Sequence, residues 1–166
     1  MDKKKFLEEV LKLLAYADMY FKQRSYTGFY NAGLTIAFMC IQVSHFSLAD
    51  KVYSLFGQML LAAKRYELAL EMYQKLRNCA HTHKDIIGKM YALWQMGRCF
   101  AELEKYEHAI VSYKYMLALA WTSKSMEAEM AAYEALGRMH LYLGHIEKVK
   151  FYDAKISFGK MEHVNS

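Results

Sequence analysis

A glycine recurs every forty residues along this chain, at Gly57, Gly97 and Gly137, and its surroundings recur with it. The segment LFGQMLLAAKRYELALEMYQKL lies without gaps over QMGRCFAELEKYEHAIVSYKYM and over ALGRMHLYLGHIEKVKFYDAKI. Tyr66 matches Tyr106, Ala69 matches Ala109, and Tyr73 matches Tyr113. The connector repeats as well, with Thr82 and Lys84 returning as Thr122 and Lys124. A glycine, an aromatic and an alanine held at one period mark a stacked supersecondary unit that cannot bury its apolar face without its neighbours.

Each unit reads as two helices. Tyr53, Phe56, Gly57 and Leu60 fall at helical spacing, as do Leu93, Met96, Gly97 and Phe100, which gives the first helix one buried stripe. The second helix starts near Tyr66 or Tyr106 and buries Ala69, Tyr73 and Leu76, or Ala109, Tyr113 and Met116. The alanine is expected to face the glycine, small against small. Proline is absent, which suits long helices joined by short polar breaks. Ser47 with Asp50, and Thr82 with Asp85, resemble N-cap starts. The expected helices span about 3 to 22, 27 to 44, 48 to 63, 66 to 80, 84 to 103, 106 to 121, 124 to 143 and 146 to 158.

The end units depart from the pattern. Stepping back one period puts Ala17 in the glycine slot, Phe29 in the alanine slot and Gly33 in the tyrosine slot, a large-for-small exchange that keeps volume while changing shape. In the last helix Asp153 takes the slot of Tyr73 and Tyr113, and Lys150 that of Leu70 and Ile110, so this helix is expected to face solvent as a cap. The fold class is therefore all-α, an α-solenoid of about four stacked antiparallel helix pairs. One repeat domain is expected over 1–160, with units of about 3–44, 48–80, 84–121 and 124–158, and a frayed tail over 161–166.

On these residues the chain resembles the tetratricopeptide repeat family, whose first helix carries a large apolar residue and then Leu-Gly, with an aromatic at the turn and Ala and an aromatic in the second helix. Common members repeat at about 34 residues and close each unit with proline. The longer period and missing proline look like the forty-residue variant of Pins/LGN-type adaptors. The resemblance implies a right-handed solenoid and a non-catalytic scaffold whose first helices line a concave groove for a protein or peptide. The corresponding stripe holds Lys51, Ser54, Gln58 and Leu61, then Tyr91, Trp94, Arg98 and Ala101, then Ala131, Glu134, Arg138 and Leu141. Tyr91, Trp94, Arg98, Glu134, Arg138, Gln58 and Lys51 are the candidate partner-binding residues. Arg98 and Arg138, at one slot of adjacent units, offer two forked donors to a carboxylate-bearing segment. The opposing reading has both arginines paired with Glu102, Glu134 or other local acids. The lysine and asparagine clamp by which some members hold a terminal carboxylate is not reproduced, since those slots hold Asp18, Gln58, Tyr91, Ala131 and Ala135. The alternative is a structural subunit of a cytoskeletal or ciliary assembly that contacts neighbours through convex and end surfaces.

Other chemistry is poorly represented. The net charge of +5 is thinly spread apart from Lys3, Lys4 and Lys5, which speaks against nucleic acid and for mild complementarity to an acidic partner. Cys40, Cys79 and Cys99 form no C-x-x-C pair, so a reducing, cytoplasmic setting is expected, with cytoskeletal association as a variant. Residues 25–49 carry no formal charge until Asp50, yet Asn31, Gln42, Ser44, His45 and Ser47 speak against a membrane span. No cofactor or metal site is expected: His81 and His83 are two apart in a connector, and the spacing of His140 and His145 does not put two imidazoles on one helical face. No phosphate-cradling or metalloprotease motif occurs, so the chain is not expected to be an enzyme.

Overall fold

The structure is a computed structural model that describes residues 2–166. Among the described residues eight helices follow one another: α1 (Lys3–Lys22), α2 (Tyr26–Gln42), α3 (Phe46–Ala62), α4 (Tyr66–Thr82), α5 (Ile86–Glu102), α6 (Tyr106–Ser123), α7 (Met126–Tyr142) and α8 (Ile146–Val164). No strand occurs among the described residues. The chain forms two compact units, one up to Gly88 and one from Lys89 onward. In the first, α1 packs on α2, α2 on α3 and α3 on α4. In the second, α6 packs on α7 and α7 on α8, while Gly97 and Trp94 of α5 lie against Tyr113 of α6.

The helices end in one repeated turn. Positive φ occurs at Arg24, Ser44, Lys64, Lys84, Glu104, Lys124 and Gly144, a spacing of twenty residues, half the sequence period. At each, the next amide reaches back to a carbonyl five residues earlier: Ser25 to Tyr20 at 2.8 Å, Arg65 to Leu60 at 2.8 Å, Ser125 to Ala120 at 2.9 Å. This is a Schellman closure, which satisfies carbonyls that the helix end would leave bare. The residue after the left-handed position then accepts the first bond of the next helix, as Arg65 does from Ala69 at 2.9 Å. Breaks of two or three residues suffice because one closure ends a helix and starts another. Six of the seven left-handed residues are not glycine, and each costs about 1 kcal/mol that packing must offset.

The caps differ from the sequence expectation. Ser47 lies inside α3, and Thr82 bonds back to the Asn78 carbonyl at 2.9 Å. Asp85 accepts instead from the Gly88 amide at 2.9 Å, and Ser125 accepts from Ala128 at 3.3 Å. The Schellman closures place the start of α3 two residues earlier than residue 48, which moves Ser47 past the cap position.

The glycines face aromatic rings, not alanines. A Cβ on Gly57 would sit 2.8 Å from the Tyr73 ring, and one on Gly97 would collide with the Tyr113 ring. The two helices thus approach by seating a phenol face on bare backbone. Ala69 and Ala109 are fully buried beside these contacts. The exchange at the first unit follows the same logic: Gly33 lies under the Phe56 ring, and Phe29, in the alanine slot, stacks on Phe56 at 4.4 Å. In α8 the tyrosine moves one residue, to Tyr152, leaving Asp153 exposed as the sequence implies. A Cβ on Gly137 would meet only the Tyr152 Cβ, at an ordinary 3.5 Å.

Only Tyr152 and Gly159 are buried in α8, which fits a polar last helix. Its end does not fit: α8 runs to Val164, beyond residue 158 and through most of the expected tail. Lys160, Met161 and Glu162 are good helix formers, and Gly159 is held in the helix because it packs against Met130. No described helix is long and apolar enough to cross a membrane.

These contacts make the three repeated glycines unequal. Gly97→Ala forces a methyl into the buried Tyr113 ring and is expected to lower stability by about 1–3 kcal/mol. Gly137→Ala meets no obstruction and is expected to raise it by about 0.4–1 kcal/mol. Urea unfolding followed by helical circular dichroism distinguishes the two signs.

Candidate functional site

Within the second unit, α5, α6 and α7 border an open cleft of about 460 Å³. Arg98 of α5 and Arg138 of α7 both line it, brought to one opening because they occupy the same slot of successive repeats. Tyr113, 3% exposed, lies between them on α6. Tyr106 and Tyr142 stack with centroids 5.0 Å apart to form an aromatic wall, and Glu102 and Glu104 add carboxylates at the α5–α6 turn.

Arg98 is partly positioned before any ligand arrives. Its Nη1 donates to Gln95 Oε1 at 3.0 Å, and Gln95 Nε2 in turn donates to the Tyr91 hydroxyl at 3.0 Å. Gln95 is buried, so this tether is rigid. Among the described residues neither Arg98 nor Arg138 makes an ion pair, unlike Lys22 with Asp18 or Lys150 with Glu147. The reading in which Glu102 and Glu134 neutralise the arginines is not what forms. Both guanidinium groups keep donors available beside an aromatic surface, an arrangement that can accept a carboxylate and an apolar side chain together.

Burial pushes the Tyr113 phenol up to about 12, while Arg138 and Arg98 pull it the other way. The two guanidinium groups therefore converge electrostatically on one buried atom.

The sequence candidates separate. Arg98 and Arg138 line the cleft; Trp94 supports it from beneath, tilted on Tyr113 at 5.6 Å; Tyr91 acts through Gln95. Glu134 is exposed on α7 and does not line it. Lys51 and Gln58 belong to α3 in the first unit, where Gln58 Nε2 donates to Ser54 Oγ at 3.5 Å. Sequence reasoning missed Tyr142, Glu104 and Gln95. Tyr142 left a signal, since its slot holds Ala62 and Glu102 in the other repeats.

Nucleophilic chemistry finds little support. The cysteines are free and buried, and burial raises Cys40, brings Cys79 to about 12 with help from Asp50, and brings Cys99 to about 12 despite Arg98 beside it. Such thiols are poorly ionised at neutral pH. His140 and His145 do meet, Nδ1 to Nδ1 at 3.0 Å, not on one helical face but across the turn, because the His145 amide folds back onto the His140 carbonyl in the Schellman closure. Burial, then His145, lowers the His140 pKa.

No family model matches the chain, and no curated protein matches it by sequence. Solved structures do match in three dimensions. RapI in its apo form aligns at a TM-score of 0.72 and 14% identity, over 99% of this chain and 59% of that one. The fold is a TPR-like α-solenoid. Aspartyl phosphate phosphatase F from Bacillus subtilis aligns at 0.70 and 21% identity, over 94% of this chain and 41% of that one. BtubC from P. vanneervenii aligns at 0.69 and 14% identity, over 97% and 66%. The chain thus spans about two-fifths to two-thirds of these structures, and at such identities the likeness carries the fold alone.

The Tyr113 shift has a stability consequence. The unfolded chain releases this proton near pH 10, whereas the folded chain holds it to about 12. The neutral phenol therefore contributes stability that is complete below pH 10 and disappears as pH rises to 12. Tyr113→Phe is expected to make the alkaline loss of stability shallower by about 2 kcal/mol, read from urea midpoints between these pH values.

Proposed function

We propose that this chain is a non-catalytic protein-interaction scaffold that captures a carboxylate-bearing peptide segment in the cleft of its second unit. The observation that carries the reading is the pair Arg98 and Arg138, free of ion pairs and opening on one cleft beside the Tyr106–Tyr142 wall. Arg98 and Arg138 hold the carboxylate, Gln95 and Tyr91 position Arg98, and the aromatic wall receives a neighbouring apolar side chain. Glu102 and Glu104 favour a segment that also carries a basic group, so the partner is not uniformly acidic. The forty-residue period, resembling that of Pins/LGN-type adaptors, supports an adaptor role in the cytoplasm. The three poorly ionised thiols support binding over catalysis.

The test is selection from a displayed library of carboxylate-containing peptides, followed by titration of the purified binder. Arg98→Ala with Arg138→Ala is expected to weaken capture about tenfold to a hundredfold, as loss of charge-assisted bonds worth about 1.5–3 kcal/mol would do, with circular dichroism unchanged. Unaltered affinity in the double variant would reject the cleft.

A second reading, an assembly subunit, is favoured by one observation: α8 leaves Phe151, Phe158 and Met161 half or more exposed. Contact through this face predicts concentration-dependent association in light scattering, reduced by Phe158→Glu. A monomer at all concentrations tested is the result that counts against it.

A further inference from the structure

The first unit holds a second cluster that the scaffold reading leaves unused. Asp50 of α3, Cys79 of α4 and His83, the residue closing α4, each offer one ligand atom, and these atoms lie within 4.8 Å of one another. Cys79 and His83 stand one helical turn apart, while Asp50 comes from the preceding helix. The antiparallel packing of α3 on α4 brings the first turns of one helix beside the last turn of the other, which is where Asp50 and Cys79 meet.

We propose that Asp50, Cys79 and His83 bind a zinc ion, with water or an exogenous group as the fourth ligand. The donor types select the metal. A thiolate beside an imidazole disfavours Mg²⁺ and Ca²⁺, which take oxygen ligands, whereas zinc takes sulfur, nitrogen and carboxylate oxygen in one tetrahedron. Charge balance fits too, because one thiolate and one carboxylate neutralise a dication in a largely buried place. Binding displaces the Cys79 thiol proton to solvent.

The surroundings are those of a built site. Asp50 and His83 side chains are 13% and 19% exposed, and Cys79 is buried. His83 Nε2 contacts Asp50 Oδ2 at 2.5 Å, yet the other oxygen, Oδ1, is buried with no hydrogen-bond partner among the described residues. A desolvated carboxylate oxygen within reach of a thiol and an imidazole is a group that a bound cation would satisfy. The Phe46 ring lies parallel to His83 with centroids 5.8 Å apart and limits the tilt of the imidazole. Ligand atoms around zinc stand about 3.3–3.8 Å apart for bonds of about 2.0–2.3 Å, a span within that of the cluster. The His83–Asp50 contact is exchanged for two bonds to the metal, and α3 becomes fastened to the end of α4.

The experiment uses the full chain after chelation. Titration with Co²⁺ is expected to saturate at one equivalent with a thiolate-to-cobalt charge-transfer band, which one equivalent of Zn²⁺ abolishes by displacement. Cys79→Ser removes the band, whereas Cys40→Ser and Cys99→Ser keep it. Asp50→Asn and His83→Gln each weaken Zn²⁺ binding by about tenfold to a hundredfold or more. Zinc also raises the thermal midpoint of the unmodified chain, a readout that does not depend on any variant folding. The proposal is overturned if the charge-transfer band is absent, if it survives in Cys79→Ser, if His83→Gln binds zinc as tightly as the parent chain, or if zinc leaves the midpoint unchanged.

Discussion

Bare backbone against a phenol face sets the spacing within the helix pairs. Gly57 lies under Tyr73 and Gly97 under Tyr113, each ring buried and in the space a Cβ would take. A glycine inside a helix costs about 1 kcal/mol relative to alanine, so its recurrence requires a return, and burial of a large aromatic supplies it. The same seat explains the end units. Where Gly33 takes the tyrosine slot, the ring comes from Phe56; where Asp153 takes it, the ring moves to Tyr152 and Gly137 loses its close neighbour.

The turns follow from that packing. A left-handed residue every twenty positions, closed by the same pair of backbone bonds, makes successive helix reversals alike in local geometry. Arg24, Ser44, Lys64, Lys84, Glu104 and Lys124 adopt this conformation without being glycine, so tertiary packing imposes it against local preference. Regular reversal also explains why side chains forty residues apart can share an opening. Arg98 and Arg138 reach one cleft because each stands one residue after its glycine, and Tyr113 reaches it because it rests on Gly97.

The two polar clusters differ in kind. The cleft in the second unit combines exposed cations with an aromatic wall and open space, the physics of recognition. The Asp50, Cys79 and His83 group is enclosed and has one carboxylate oxygen without a hydrogen-bond partner among the described residues, the physics of coordination. His140 and His145 form a third close pair, across a turn, with the His140 Nε2 buried and without a hydrogen-bond partner among the described residues.

The repeat, the helix pairs, the apolar stripes and the exposed last helix were legible in the sequence, because periodic burial writes itself directly into side-chain type. The forty-residue step also named Arg98 and Arg138. What faces the glycines was not legible, since alanine and tyrosine at helical spacing both lie near the seam and only the helix rotation chooses between them. The extent of α8 was not legible either, because Gly159 reads as a stop until Met130 is seen against it. Left to tertiary structure were the contacts that join distant positions: Tyr106 with Tyr142, Asp50 with Cys79 and His83, and the absence of a carboxylate partner for the two arginines among the described residues. Sequence specifies a period and a face; which side chains from different helices meet depends on rotation and depth of packing, and those are settled only when the whole core closes.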